Sequence, residues 1–109
     1  MTEEQEQSLE PKSLANIDPL IHTPARLSVM AYLFVVDSMD FVYLKRVTGL
    51  SSGNLSAHLT KLEKAGYVNI KKSFQGKKPH TMIHLTDNGR QAFRDYKDDL
   101  QQALGSLPD

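Results

Sequence analysis

The chain has 109 residues, 39% of them apolar and 24% charged, and it contains no cysteine. That length allows one domain with a single core, and the composition excludes disulfides, thiolate metal sites and thiol catalysis. The formal net charge of zero hides a pattern: between Phe41 and Thr86, Lys45, Arg46, Lys61, Lys64, Lys71, Lys72, Lys77 and Lys78 face Glu63 alone, a net +7 that acidic flanks of −7 cancel.

The opening segment, MTEEQEQSLEPKS, lacks the basic start and apolar stretch of a signal peptide. No apolar run approaches the roughly 20 residues of a membrane span. A cytoplasmic protein without a membrane partner is expected. Residues 1–16 carry Glu3, Glu4, Glu6 and Glu10 and few large apolar groups, so a disordered acidic tail is predicted there.

Thr23-Pro24 then reads as a helix start, with a side-chain oxygen at the N-cap and a pre-bent proline at the first helical position. The first helix is predicted from Pro24 to about Val36. Leu27, Met30, Ala31 and Phe34 make one apolar face, and Val29, Tyr32, Leu33 and Val36 make the opposite face apolar too. A helix greasy all round must be covered all round, either by the last helix or by a second copy of the chain.

Asp40 can cap a short helix from Phe41 to about Thr48, which Gly49 ends. Ser51 can cap a third helix, from Ser52 to about Ala65, with Leu50 stapled onto Leu55. Its apolar residues Leu55, Leu59 and Leu62 form one narrow stripe, and Gly66 supplies a left-handed exit. After Gly66 the apolar period changes to two, with Val68 and Ile70 and later Ile83 and Leu85. This predicts a hairpin joined by Phe74-Gln75-Gly76-Lys77-Lys78-Pro79. Thr86 caps a final helix from Asp87 to about Leu104, where Phe93, Tyr96, Leu100, Ala103 and Leu107 recur at spacings of three and four.

The fold class expected is mainly α with a small β-hairpin, α+β: a helix-turn-helix plus wing over 17–86 and an added dimerisation helix over 87–109. Each part suits duplex DNA. The buried stripe leaves Ser52, Gly53, Asn54, Ser56, Ala57, His58, Thr60 and Lys61 on the exposed and flanking sides of the third helix, and small or hydrogen-bonding side chains fit a major groove about 12 Å wide. Lys71, Lys72, Lys77 and Lys78 surround the hairpin turn, where they can reach phosphates or a minor groove. A lysine-rich tip also serves simply to stop a strand edge from aggregating. The expected interface between two copies uses Val29, Tyr32, Leu33, Phe93, Tyr96, Leu100, Ala103 and Leu104.

LSSGNLSAHLTKLEKAGYV resembles the recognition-helix segment of winged-helix regulators of the ArsR and MarR type, and KKSFQGKKPHTMIHLTDNGRQAF is similar to their wing and the start of their last helix. The resemblance spans about Pro24 to Leu104. It implies a symmetric dimer built from the first and last helices, with two recognition helices, each about 52–65, in successive major grooves and wings over about 71–79 on the backbone or minor groove. It also implies groove contacts from Ser52, Gly53, Ser56 and Ala57.

The metal sites of ArsR-type sensors do not carry over, because the chain has no Cys and its last helix has Asp95, Asp98 and Asp99 but no His. No phosphate loop, nucleophile elbow or HExxH is present, so neither a cofactor nor enzyme activity is expected. The function expected is a homodimeric, sequence-specific, double-stranded DNA-binding transcription regulator, and no residue marks an effector pocket. Two other functions fit the same elements: a protein-interaction module within a larger assembly, and a binder of structured RNA.

Overall fold

The computed structural model describes residues 12–109, in which a 3-10 helix (Lys12–Asn16) precedes four α-helices and three strands. The order is α1 (Pro24–Val36), β1 (Ser38–Asp40), α2 (Phe41–Thr48), α3 (Ser52–Lys64), β2 (Val68–Gln75), β3 (Lys78–Leu85) and α4 (Asp87–Gly105). The first eleven residues of the expected acidic tail lie outside the described residues. The remainder departs from that expectation: Lys12–Asn16 is helical against α4, and Ile17 and Ile21 just beyond it are buried in the core.

Each helix start follows from a side-chain oxygen that satisfies an otherwise orphaned backbone N–H. Thr23 accepts from Arg26 N at 3.3 Å, Asp40 from Tyr43 N at 2.7 Å, Ser51 from Asn54 N at 3.1 Å and Thr86 from Gly89 N at 2.9 Å. The ends are as specific. Gly49 stops α2 in the left-handed region at φ 73°. After α3, Tyr67 N donates to Leu62 O and Gly66 N to Glu63 O, both at 2.9 Å, in a Schellman arrangement with Gly66 at φ 80°. α1 ends differently, on Asp37 at φ 68°, the one non-glycine residue with positive φ among those described. Arg90 holds that strained residue, with one guanidinium N–H on the Asp37 carboxylate, another donating to Phe34 O at 3.2 Å, and its plane over the Phe34 ring.

The sheet is antiparallel, in the order β1-β3-β2. Sequence alternation points to the hairpin but not to β1, which pairs Met39 with Ile83 on the outer edge of β3. The hairpin is also longer than expected. Its strands pair as far as Gln75 with Lys78, leaving a two-residue Gly76-Lys77 connection in which Gly76 takes φ 65°.

The core joins Met30 and Leu33 of α1, Leu44 of α2, the α3 stripe Leu55, Leu59 and Leu62, and Val68 and Ile83 of the hairpin, each 1% exposed or less. Full burial of each such side chain is worth roughly 1.5 to 3 kcal/mol, so α3 is fastened through one side only. The first half of α4 lies across α1, with Phe93 and Phe34 ring centroids 5.0 Å apart and Tyr96 Oη 2.8 Å from His22 Nδ1. α4 also packs beside the 3-10 helix, its last turns forming an arm, and the described residues span 68 × 24 × 21 Å.

Candidate nucleic-acid interface

At about 100° per residue, the buried stripe of α3 leaves Gly53, Ala57 and Thr60 on the opposite side, and all three are exposed. Thr60 donates to Ser56 O at 2.9 Å, so its hydroxyl is turned back onto the helix and its methyl faces outward. Ser52 and Asn54 are exposed in the first turn, where the Asn54 side chain stays free while its backbone N–H is capped. Ser52, Gly53, Asn54, Ser56, Ala57, Thr60 and Lys61, all expected on the exposed and flanking sides of this helix, are exposed.

Two flanks border this surface. On one, Ser56 and Thr60 meet Ile70, Lys72 and Thr81 of the hairpin across an open cleft of about 310 Å³ with Phe41 and Leu59 in its walls. On the other, half-buried His58 turns its Nδ1 to Arg26 Nη1 at 3.2 Å. The imidazole is held below its ordinary pKa of 6.5, first by burial and then by the nearby Arg26 and Lys61 charges, so it is neutral at pH 7. Nothing in the sequence pairs residues 26 and 58: the contact exists because α1 packs beside α3.

The hairpin sorts its lysines by alternation. Val68, Ile70, Lys72 and Phe74 share one face, opposite Leu85, Ile83, Thr81 and Pro79. That face is core at its base, so Lys72 and the 72% exposed Phe74 extend it outward on the side of α3. Lys71, opposite Met82, lies on the other face, and Lys77 and Lys78 sit at the tip. Among the described residues the one salt bridge is Arg90 to Asp37, which leaves Lys61, Lys71, Lys72, Lys77 and Lys78 without a carboxylate partner there. A narrow helix with small outward residues and a cationic finger thus face the same way.

A family model described as a winged helix DNA-binding domain matches residues 25–104. The chain belongs to this winged-helix family. An uncharacterized protein of Methanocaldococcus jannaschii is 38% identical over 77 residues, 71% of this chain and 84% of that protein. The structure of a transcriptional regulator homologue from Pyrococcus horikoshii OT3 superimposes with a TM-score of 0.83 at 26% identity, covering 90% of this chain and 99% of that one. The structure of reduced AbfR bound to DNA, a protein of Staphylococcus epidermidis, shares the fold with a TM-score of 0.66 at 24% identity, over 97% of this chain and 71% of AbfR. The winged-helix resemblance and the mainly helical fold with a hairpin wing are therefore as the sequence led one to expect. No helix among the described residues is long and apolar enough to cross a membrane.

Most of the residues expected between two copies of this winged-helix chain are already covered within one chain. Val29, Leu33, Phe93, Tyr96 and Ala103 are 6% exposed or less within the single chain, because the apolar stripe of α4 meets α1 and the 3-10 helix of its own protomer. Tyr32 leans on α2, donating to Val47 O at 3.3 Å. Of the expected set, the 39% exposed Tyr32, half-buried Leu100 and the 57% exposed Leu104 remain available, and Leu107 just past the end of α4 and Leu14 are also exposed.

Proposed function

We propose that this protein is a sequence-specific regulator of transcription that binds duplex DNA as a homodimer and acts by binding rather than by catalysis. The observation that carries the reading is the shared orientation of α3 and the wing. Gly53, Ala57 and Thr60 give α3 the slim outer surface a major groove accepts, Lys72 stands across the cleft from Ser56 and Thr60, and Lys77 and Lys78 at the hairpin tip are free to meet flanking phosphates. Asn54 and Ser56 supply the hydrogen-bonding groups that can read base edges.

In this reading residues 17–86 form the DNA-binding unit and 87–109 the dimerisation element, with the contact made by Leu100 and Leu104 of α4, by Leu107 just beyond it and by Leu14. The arm supports a second copy because Leu104, and Leu107 just past its end, are exposed apolar side chains beside a helix whose other face is covered by its own chain. The Pyrococcus horikoshii relative, a transcriptional regulator homologue by description, supports the same assignment.

The test is fluorescence anisotropy of the full chain with labelled duplex DNA and with duplex RNA of the same sequence, over a series of salt concentrations. With roughly four phosphates touched per protomer, log K against log salt should fall with a slope near −7 for a dimer on DNA. A flat salt response, or equal preference for the RNA duplex, would refute the reading.

A further inference from the structure

We infer that Arg26 is a positioning residue for DNA recognition: it holds the recognition-helix His58 as a neutral imidazole whose Nε2–H is turned outward as a donor to an acceptor on the duplex. The inference rests on the proposed reading of α3 as the helix that meets DNA.

Arg26 stands in the first turn of α1, three residues after the cap Thr23. It is pinned from behind, with Nε donating to Leu20 O at 2.5 Å, while Nη1 lies 3.2 Å from His58 Nδ1. A guanidinium has donors and no acceptor. The His58 nitrogen that faces it must therefore carry the lone pair, which places the single ring proton on Nε2. Protonating the ring would set two donors against each other and bring a third cation beside Arg26 from α1 and Lys61 on α3 itself, the two charged groups that face the ring. Geometry and charge agree on one state.

The remaining nitrogen is unused. No group in the described protein bonds Nε2, yet no side-chain nitrogen or oxygen of the described residues is both buried and unpartnered, so Nε2 reaches solvent. On α3 it belongs to the flank shared with Asn54 and Lys61, at the border of the outward surface. A donor held still between two cations and facing water suits an electron-rich acceptor, either a phosphate oxygen or a guanine edge. Because the guanidinium is fixed to the Leu20 carbonyl, it cannot follow the ring, and turning the ring breaks the bond to Nη1, so Arg26 acts on DNA through His58 without having to touch it.

The experiment is a double-mutant cycle in the full chain with Arg26→Met, His58→Ala and the pair, read by anisotropy on duplexes of several sequences at pH 7. Each single change should weaken binding about three- to tenfold per protomer, the worth of one hydrogen bond, or about ten- to 100-fold for the dimer, and the double change should cost no more than the larger single one. A loss uniform across sequences places the acceptor on phosphate, and one confined to a preferred sequence places it on a base edge. Effects that multiply in the double variant overturn the inference.

A second arm needs no DNA. Nitrogen NMR of the His58 ring at pH 7 should show Nδ1 bare and Nε2 protonated, and Arg26→Met should raise the titration midpoint toward 6.5. An unmoved midpoint also overturns the inference. If Arg26→Met is unstable, Arg26→Gln gives the same titration readout. Should the wild-type chain bind no duplex, the proposed function fails, while this arm still decides whether Arg26 holds the ring.

Discussion

Replacing Lys72 and Lys71 in turn tests the orientation of the wing, because they are neighbours in sequence on opposite faces of one strand. Lys72 lines the cleft beside Ser56 and Thr60, whereas Lys71 pairs across the ladder with Met82 on the far face. Composition and net charge treat the two alike, so only geometry separates them. Each phosphate contact contributes about 0.9 to the slope of log K against log salt, which at 0.15 M is roughly a fivefold change in affinity. For a dimer that loses Lys72 from both wings, the slope should therefore shrink by about 1.8 and affinity fall about 30-fold. Lys71→Ala should stay within about twofold, and changing the tip pair Lys77 and Lys78 together should exceed the Lys72 effect. The assay is anisotropy on a fixed duplex between 50 and 300 mM salt. If Lys71→Ala matches or exceeds Lys72→Ala in slope, the assignment of the inner face to DNA is wrong.

Three further outcomes follow from the fold. A methyl group added at the buried Gly89 would collide with the Tyr67 carbonyl and come within 2.9 Å of Leu85, so Gly89→Ala should cost about 3 kcal/mol in urea unfolding, and a change below about 0.5 kcal/mol would contradict the close approach. Tyr67 donates to the Asp18 carboxylate at 2.5 Å, and burial first, then that bond and the Asp18 charge, push its pKa up to about 12. The unfolded chain gives up this proton near pH 10 and the folded chain only near 12, so thermal stability should fall across that window, and Tyr67→Phe should flatten the fall when melting is followed against pH. Leu104→Asp with Leu107→Asp should yield folded monomers in sedimentation, because both side chains are exposed in the single chain, whereas Tyr96→Asp should unfold it, because Tyr96 is 2% exposed. A Leu104/Leu107 variant of unchanged mass would remove the arm from the interface.

What sequence reading could see was whatever a short window encodes. Thr23-Pro24, Asp40, Ser51 and Thr86 each carry the chemistry of a helix start within four residues, and all four helices begin where those caps put them. The stripe Leu55, Leu59 and Leu62 identified the buried side of α3 and so, by subtraction, its outer surface. β1 was invisible because Ser38, Met39 and Asp40 have no alternation of their own and become a strand only by pairing with β3. The run from Lys71 to Gln75, polar but for the exposed Phe74, hid the true length of the hairpin, since ladder hydrogen bonds extend it without any buried side chain.

The seam on α4 was correctly seen as apolar, and much of it is covered within the single chain. Periodicity says that a face is covered, not by what, and Phe93 and Tyr96 are covered by α1 and the segment before it. The Arg26 to His58 contact and the tight passage at Gly89 belong to the same class. Each joins residues brought together by packing, over 32 positions in the first case.

The central claim, that α3 reads a major groove while paired wings grip the backbone, is tested most directly by selecting bound duplexes from a random pool with the full chain and sequencing them. The account predicts an enriched two-fold-symmetric site whose half-sites lie about one helical turn, roughly 10 base pairs, apart, or a multiple of it. Retention of the pool without any enriched motif, or no retention at all at low salt, would contradict it.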